Sequence, residues 1–238
     1  YIYKEADGTP IAYFSMDECY IANLKTDKMN GANVIATTEN KLLPKTWYVA
    51  PTETGDGSGR DSSNKADTVS DVINNIKDNY GTYFKNENIT IKLESGKYKE
   101  NIDISGFLGF GSINLDFDSS TVLYGTITVK DNMVDIYIDG KKTNTSTTGA
   151  IIYSYQSKEQ DAITVINSYC SVNGFKAKNL SSSGTTYYGA FVRYLNGARG
   201  EVSNCDVIYY ETPISSDNAS QVGFWNVKGK TEYRRTVT

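Results

Sequence analysis

The chain has 238 residues, and its 28 acidic and 24 basic residues give a net charge of −4. This balance argues against a nucleic-acid-binding protein, which would carry a basic face. The chain contains no histidine, which excludes Ser-His-Asp and Cys-His catalysis as well as histidine-ligated zinc or iron. No apolar run approaches the roughly 18 to 20 residues of a membrane-spanning helix, so we expect no membrane insertion.

Residues 1–46 are predicted to form a small β unit. Short apolar runs around Ile11 and Tyr20 are separated by turn signals such as Asn30-Gly31. A unit of this length buries too little core to be stable alone. We therefore expect it to pack against the next domain or against another chain.

The next segment, residues 47–85, is predicted to contain an entry strand, a Gly/Ser/Asp-rich loop and one amphipathic helix over about 66–80. The apolar positions of the helix follow the 3.6-residue period and are Val69, Val72, Ile73, Ile76 and Tyr80. Asn64, Asp67 and Thr68 are the candidate N-caps, and Gly81 is a plausible stop.

Residues 86–238 are predicted to consist of strands and turns that repeat imperfectly. Five segments align when the following residues are superposed: Ile113, Val134, Val172, Val202 and Val222. A repeat near 20 residues with longer insertions is typical of a β-solenoid, whose inward residues stack into apolar ladders. The distances in sequence from Val134 to Val172 and from Val172 to Val202 are longer than 20 residues, which places inserted loops near 141–163 and 180–200. The helix would then cover the open apolar end of the first coil.

The chain has three cysteines, which are Cys19, Cys170 and Cys205. An odd number without a CxxC pair argues against a disulfide framework and against a thiolate zinc site. We expect free and mostly buried thiols. Asp56 and Asp61 lie in the Gly-rich loop, but their spacing is a poor match to a calcium site, so no metal ion or cofactor is expected.

Three segments resemble parts of known proteins. TWYVAPTETGDGSGRDSSNKADTVSDVINNI (46–76) resembles the entry segment of pectate-lyase-like right-handed β-helices in bacteriophage tail spikes and tail fibres. NITIKLESGKYKENIDISGF (88–107) is similar to the first coil of those proteins. DGTPIAYFSMDECYIANLKT (7–26) resembles connector segments in tail proteins of phages that infect Gram-positive hosts.

The resemblance implies an all-β protein: a single-stranded right-handed parallel β-helix with an N-terminal capping α-helix and a small N-terminal β connector. It implies a homotrimeric tail spike or fibre component of the virion that adheres to a bacterial surface polysaccharide. Residues 1–46 would attach it to other tail or baseplate proteins. The alternatives are a secreted bacterial protein, a polysaccharide lyase or glycoside hydrolase of the same fold, and a purely structural tail component.

For the enzyme alternative, the candidate catalytic pair is Asp118 and Asp139. The alignment places them on the outward face of adjacent coils, about 4.8 Å apart. That spacing is close to the roughly 5 to 5.5 Å between the carboxylates of retaining glycosidases. The other interpretation is that Asp118 ends a strand and that Asp139-Gly140 is a turn.

The candidate saccharide-binding residues lie in or beside the two inserted loops. Aromatic faces stack on sugar rings, and arginine binds acidic sugars through paired hydrogen bonds. The set consists of Tyr153, Tyr155, Tyr187, Tyr188, Arg193, Tyr194, Tyr209, Tyr210 and Glu211. The alternative is that these tyrosines are ordinary strand residues, some of them inward-facing and some at a trimer interface.

Overall fold

The computed structural model describes residues 2–3, 10–14, 19–21, 42–154, 160–180 and 189–230. The chain divides into two units, Tyr1–Lys41 and Leu42–Thr238. In the first unit an antiparallel sheet has the order β1-β2-β3 and consists of β1 (Ile2–Tyr3), β2 (Pro10–Phe14) and β3 (Cys19–Ile21). Its boundary falls after residue 41, whereas the sequence suggested residue 46.

The second unit is mostly β. Within its described residues there are one helix, α1 (Val69–Tyr80), and 18 strands. In chain order the strands are β4 (Thr46–Val49), β5 (Tyr83–Leu93), β6 (Lys97–Tyr98), β7 (Ile102–Ser105), β8 (Leu108–Phe117), β9 (Val122–Tyr124), β10 (Ile127–Lys130), β11 (Asp135–Asp139), β12 (Ile151–Ser154), β13 (Ile163–Ile166), β14 (Tyr169–Asn173), β15 (Lys176–Asn179), β16 (Ala190–Leu195), β17 (Arg199–Ser203), β18 (Asp206–Ile208), β19 (Thr212–Ser216), β20 (Gln221–Trp225) and β21 (Lys228–Lys230).

These strands form three parallel sheets. The first sheet has the order β4-β5-β8-β11-β14-β17-β20, the second β6-β9-β12-β15-β18-β21 and the third β7-β10-β13-β16-β19. From β5 onward, successive strands enter the first, second and third sheets in strict rotation. This architecture is compatible with the predicted parallel β-helix.

Inward-facing apolar side chains form rows that run across each sheet. One row of the first sheet consists of Leu115, Ile138, Val172, Val202 and Phe224. The predicted alignment superposed Ile113 with Val134, but the structure pairs Ile113 with Ile136. The error is two residues. Because side chains alternate with period 2, such a shift keeps every residue on its predicted face, so the hydrophobic pattern could not reveal it.

The two predicted inserts also need correction. Strand β12 lies inside 141–163, and strand β16 lies inside 180–200, so both segments contribute to the sheets. The five superposed residues that define the repeat lie in or beside strands of the first sheet. Since each circuit of the chain has three strands, the segments between two first-sheet strands contain a strand of the second sheet and a strand of the third.

The helix begins three residues later than predicted and ends where predicted. The Thr68 hydroxyl accepts a hydrogen bond from the backbone N–H of Asp71 (3.0 Å), and the Gly81 N–H donates to the Lys77 carbonyl. The buried side chains of the helix are Val69, Val72, Ile73 and Ile76, as expected from the period. The helix packs against β4, β5 and β7. No helix in the described parts of the chain is long and apolar enough to cross a membrane.

Candidate functional site

An open polar cavity of about 410 Å³ lies on the outward face of the first sheet. Four neighbouring strands, β5, β8, β11 and β14, supply its walls. We call this cavity the polar groove, and its polar lining consists of Asn88, Thr90, Ser112, Asn114, Tyr137, Asp139, Ser171 and Asn173. Its position follows from the alternation of the strands, because inward apolar residues leave the polar residues of the same strands on the outside.

Two features of the groove suit it to a ligand rich in hydroxyl groups. The Oδ1 atom of Asn114 is buried and has no hydrogen-bond partner among the described residues. The Tyr137 side chain is 38% exposed, and its ring packs edge-on against Tyr169 with centroids 6.1 Å apart. The groove wall therefore combines a buried, unsatisfied acceptor with a partly exposed aromatic ring.

The end of the groove is held by a network of hydrogen bonds. Asn173 donates from Nδ2 to Asp139 (2.9 Å), and its own Oδ1 accepts bonds from Ser203 (2.9 Å) and Asn204 (2.9 Å). The amide orientation of Asn173 is thereby fixed by three contacts. A side chain held in this way is pre-organised for binding.

The predicted pair of Asp118 and Asp139 does not form. Strand β11 pairs with β8 so that Asp116 lies opposite Asp139, which is the same two-residue shift found in the apolar row. Asp118 lies beyond the end of β8, where its Oδ1 accepts a hydrogen bond from the Ser120 N–H (2.8 Å). It therefore stabilises the turn that follows the strand, which agrees with the alternative interpretation that Asp118 ends a strand.

Lys141 lies between the two carboxylates that do meet. Its Nζ is 2.8 Å from Asp139 Oδ2 and also forms an ion pair with Asp116. Its backbone N–H donates to the other oxygen of Asp139 (3.0 Å). Both oxygens of Asp139 therefore accept hydrogen bonds from neighbouring side chains or backbone.

The electrostatics of Asp139 also differ from those of a general acid. Burial raises the pKa of this carboxyl, but the hydrogen bonds from Lys141 and Asn173 outweigh burial, so its pKa lies below the usual range. The two carboxylates raise the pKa of Lys141 in turn, against the opposing effect of burial. A glycosidase acid needs the opposite shift, a raised pKa that keeps its proton at neutral pH.

Two of the predicted saccharide-binding tyrosines belong to the core. Tyr194 and Tyr210 are 0% and 1% exposed. The Tyr194 hydroxyl donates to the Cys170 carbonyl (2.8 Å), and the Tyr210 hydroxyl bonds the Ser154 hydroxyl (2.9 Å). Each ring faces inward and each hydroxyl has a buried partner, so neither side chain can stack on a sugar.

Arg193 is held by two carboxylates. Its Nε donates to Asp161 (2.6 Å), and its NH1 atom is 3.4 Å from Asp217. These contacts raise the pKa of the guanidinium. The same Asp161 accepts a hydrogen bond from the Ala190 N–H (2.6 Å), so Arg193 forms part of a link between neighbouring segments.

The remaining predicted residues are distributed over the surface. Tyr153 is half-buried on the second sheet, and its ring lies 5.2 Å from that of Tyr124. Tyr209 is half-buried with the Lys178 ammonium over its ring, and Glu211 is exposed. The other three residues of the set, Tyr155, Tyr187 and Tyr188, lie outside the described residues.

Sequence reasoning missed the main lining residues of the groove, Asn114, Tyr137 and Asn173. A signal for them was present: they occupy polar positions that alternate with the apolar ladder residues. The correct register would have aligned Asp116 with Asp139 and placed these polar side chains in adjoining rows.

The Gly-rich loop uses its carboxylates internally. Asp56 accepts hydrogen bonds from Ser58 and Arg60, and Asp61 accepts bonds from Ser63 and Asn64. These bonds lower the pKa of both carboxyls. In the part of the chain that the structure describes, no three cysteine, aspartate or glutamate side chains cluster as metal ligands would.

Comparisons with models of protein families, with curated proteins and with solved structures find no match to this chain. Its function must therefore be inferred from the residues and their geometry.

Proposed function

We propose that the protein is an adhesion protein that binds a bacterial surface polysaccharide through the polar groove. The observation that carries this proposal is the groove itself: amide, hydroxyl and tyrosine side chains from four adjacent strands line one open cavity of about 410 Å³. Amide and hydroxyl groups both donate to and accept from sugar hydroxyls, and a tyrosine ring packs against the apolar face of a sugar. The volume lies within the range of small-ligand sites.

The rotation of strands through three parallel sheets supports a right-handed parallel β-helix as the scaffold of this adhesion protein. Helix α1 packs against strands at one end of the first and third sheets, and in this proposal it caps the stack there. The resemblance of residues 46–76 and 88–107 to tail-spike segments supports a place in a phage tail. The protein would then be a homotrimer attached to the virion through its first unit, with avidity amplifying weak sugar contacts.

A polysaccharide lyase or hydrolase is less well supported. The carboxylate pair that the register brings together is neutralised by Lys141, and both oxygens of Asp139 accept hydrogen bonds. We therefore assign these residues a structural and electrostatic role in the groove.

A glycan array that carries uncharged bacterial oligosaccharides tests the proposal. We expect binding by the full chain, and about tenfold weaker binding by Tyr137→Ala because the stacking surface is lost. Asn114→Ala should also weaken binding. Tyr83→Ala is the matched control, since Tyr83 is 62% exposed and lies outside the groove.

Either of two results would contradict the proposal: no binding to any glycan on the array, or binding that Tyr137→Ala and Asn114→Ala leave unchanged. The first result would favour a purely structural tail component. Release of reducing ends during the same incubation would favour the degrading enzyme, provided that Asp139→Asn abolishes the release.

A further inference from the structure

The outward face of the second sheet carries lysine and tyrosine in two rows. Strands β6, β9, β12, β15, β18 and β21 pair in parallel register, and the side chains of each row lie one strand spacing apart. The first row consists of Lys97, Val122, Ile151, Lys176, Asp206 and Lys228. The second row contains Tyr124, Tyr153, Lys178 and Ile208. We call this surface the lysine–tyrosine face.

Four lysines of this face have no acidic partner among the residues that the structure describes. No carboxylate of the described residues lies within 4.0 Å of the ammonium groups of Lys97, Lys176, Lys178 and Lys228. The single acid in the two rows, Asp206, already has a partner: Lys142, whose side chain is 3% exposed, lies 3.4 Å from it. The face is therefore positive, although the whole chain has a net charge of −4.

The outward face of the adjoining first sheet carries charges of both signs. Its carboxylates are Asp116, Asp135, Asp139 and Glu201. Lys92 and Arg199 project from the same face, and Lys141 forms ion pairs with two of the carboxylates. The excess of positive charge is therefore a feature of the lysine–tyrosine face and not of the first sheet. A local field of this kind attracts an anionic partner to that face in particular.

The lysines are arranged as a line along the direction in which the strands stack. Lys97 and Lys176 are three strand steps apart, or about 14 Å, and Lys176 and Lys228 are two steps apart, or about 10 Å. A compact anion would reach one of these charges. A linear polymer that carries repeated negative charges would contact several of them in turn.

One end of the face opens into a larger cavity of about 740 Å³. Its polar lining includes Lys97, Lys99, Asn101, Thr126 and Gln160, and Tyr124 forms one wall. The Tyr124 ring lies 5.2 Å from the Tyr153 ring, so two aromatic side chains continue from the cavity onto the face. Amide and hydroxyl groups here recognise hydroxyls, whereas the lysines recognise negative charge.

Glu100, the carboxylate among the described lining residues of that cavity, does not cancel its lysines. Glu100 accepts hydrogen bonds from the backbone N–H groups of Val69 (3.0 Å) and Ser70 (3.2 Å) at the start of α1. Its charge is thus directed at the positive N-terminus of the helix. Lys97 and Lys99 remain available to a ligand.

We propose that the lysine–tyrosine face binds an acidic polysaccharide chain, laid across the strands from the cavity at Tyr124 toward Lys228. Nucleic acid is the less suitable polyanion, because the six strands contain no arginine, whose planar fork matches phosphate best. This site does not rest on the polar groove, which lies on another sheet and whose lining is mainly amide and hydroxyl groups.

The test compares two variants that lose the same charge. In the first, Lys97→Gln, Lys176→Gln and Lys228→Gln remove three lysines of the face. In the matched control, Lys45→Gln, Lys85→Gln and Lys130→Gln remove three exposed lysines that lie elsewhere. Titrations use polygalacturonate as a carboxylate polymer, poly(glycerol phosphate) as a phosphate polymer, dextran as an uncharged polymer and oligo(dT) as a nucleic acid, each at two salt concentrations.

We expect the full chain to bind at least one of the two acidic polymers, with affinity that falls as salt rises. The face variant should bind about tenfold more weakly or worse, and the control variant should bind as the full chain does. Which acidic polymer binds more tightly shows whether carboxylate or phosphate is the preferred charge.

Three results would overturn the proposal: equal loss of affinity in both triple variants, dextran binding as tight as that of either acidic polymer, or tighter binding of oligo(dT). The Tyr137→Ala variant separates this site from the polar groove, because it should leave binding of the acidic polymer unchanged. Failure of one site therefore does not imply failure of the other.

Discussion

Lys141 is the residue that sets the charge of the polar groove. It has a positive φ of 66°, a conformation that is uncommon for a residue with a side chain. In this position its backbone N–H and its ammonium both reach Asp139, and the ammonium also reaches Asp116. One cation thus neutralises two carboxylates on neighbouring strands, which would otherwise repel each other.

The lowered pKa of Asp139 predicts a pH dependence of stability. A carboxyl whose pKa is lower in the folded state stabilises the protein above the pKa of the unfolded state, about 3.9 for Asp. This contribution is lost as the pH falls through the folded-state pKa. Urea unfolding between pH 7 and pH 3 should therefore show a smaller acid-induced loss of stability in Asp139→Asn than in the unaltered chain.

The exposed residue Asp103 provides the control for this measurement, because its side chain forms no hydrogen bond or ion pair with the described residues. Asp103→Asn should follow the unaltered chain across the pH range. An Asp139→Asn variant with the same acid-induced loss as the unaltered chain would show that the network around Asp139 does not stabilise the folded state.

The thiols of Cys170 and Cys205 are predicted to be unreactive in the folded protein. Both are fully buried and free. Burial raises the pKa of Cys170, and it raises the pKa of Cys205 to about 12. Because the thiolate is the reactive form, a Cys19→Ser variant should show no thiol that reacts with Ellman's reagent at pH 8 until denaturant is added. Rapid reaction without denaturant would contradict the burial of both residues.

At the scale of elements, stability depends on the position of a strand within its sheet. Ile138 and Phe224 belong to the same inward row, but Ile138 is 1% exposed in a central strand and Phe224 is 67% exposed in the terminal strand β20. An inward apolar side chain thus contributes more to the stability of the fold in a central strand than in a terminal strand.

Substitution of these two residues measures the difference. Ile138→Ala should lower the free energy of unfolding by about 2 to 5 kcal/mol, because it leaves a cavity between packed neighbours. Phe224→Ala, an exposed position, should change it by no more than about 0.5 kcal/mol. Urea titrations with an unchanged m-value give both numbers. Equal costs would mean that the row is not buried as described.

The start of α1 provides a second prediction at this scale. The Glu100 carboxylate accepts both the Val69 and the Ser70 N–H groups, which have no partner within the helix. Glu100→Ala should therefore destabilise the second unit by about 1 to 3 kcal/mol. Glu53→Ala, in the exposed loop before the helix, is the control and should have little effect. A Glu100→Ala variant as stable as this control would contradict the capping role.

At the scale of the whole molecule, three sheets present faces of different chemistry. The first sheet carries the polar groove, and the second carries the lysine–tyrosine face. Both belong to the unit Leu42–Thr238. Parallel pairing stacks equivalent side chains one strand spacing apart. Side chains of similar chemistry at equivalent strand positions therefore form a continuous row across the sheet.

The proposed trimer is tested by the mass of the purified chain in solution. Light scattering after size-exclusion chromatography should give a mass near three times 26.3 kDa. Three copies would present three polar grooves and raise the apparent affinity for a repeating glycan. A mass of 26.3 kDa at micromolar concentration would contradict the trimer, and it would leave the glycan-binding experiments to decide the function of a single chain.

Local and periodic features could be predicted from the sequence. The apolar face of α1, its stop at Gly81 and the strand-rich nature of residues 86–238 follow from side-chain periods that the chain itself carries. The burial of Cys170 and Cys205 was predicted from residue type, because free cysteines are among the most buried residues. The periodic features depend on neighbours that are close in sequence.

Tertiary structure decided the register and the assignment of strands to three sheets. A shift of two residues preserves the alternation of faces, so the sequence pattern allowed Asp118 opposite Asp139 as readily as Asp116. It likewise could not distinguish a half-buried Tyr153 from a fully buried Tyr194 or Tyr210, since all three lie in strand-rich segments. Only the pairing of strands distant in sequence places Lys141 between two carboxylates. The same pairing brings four lysines together on one face. Both arrangements arise from stacking between successive circuits of the chain.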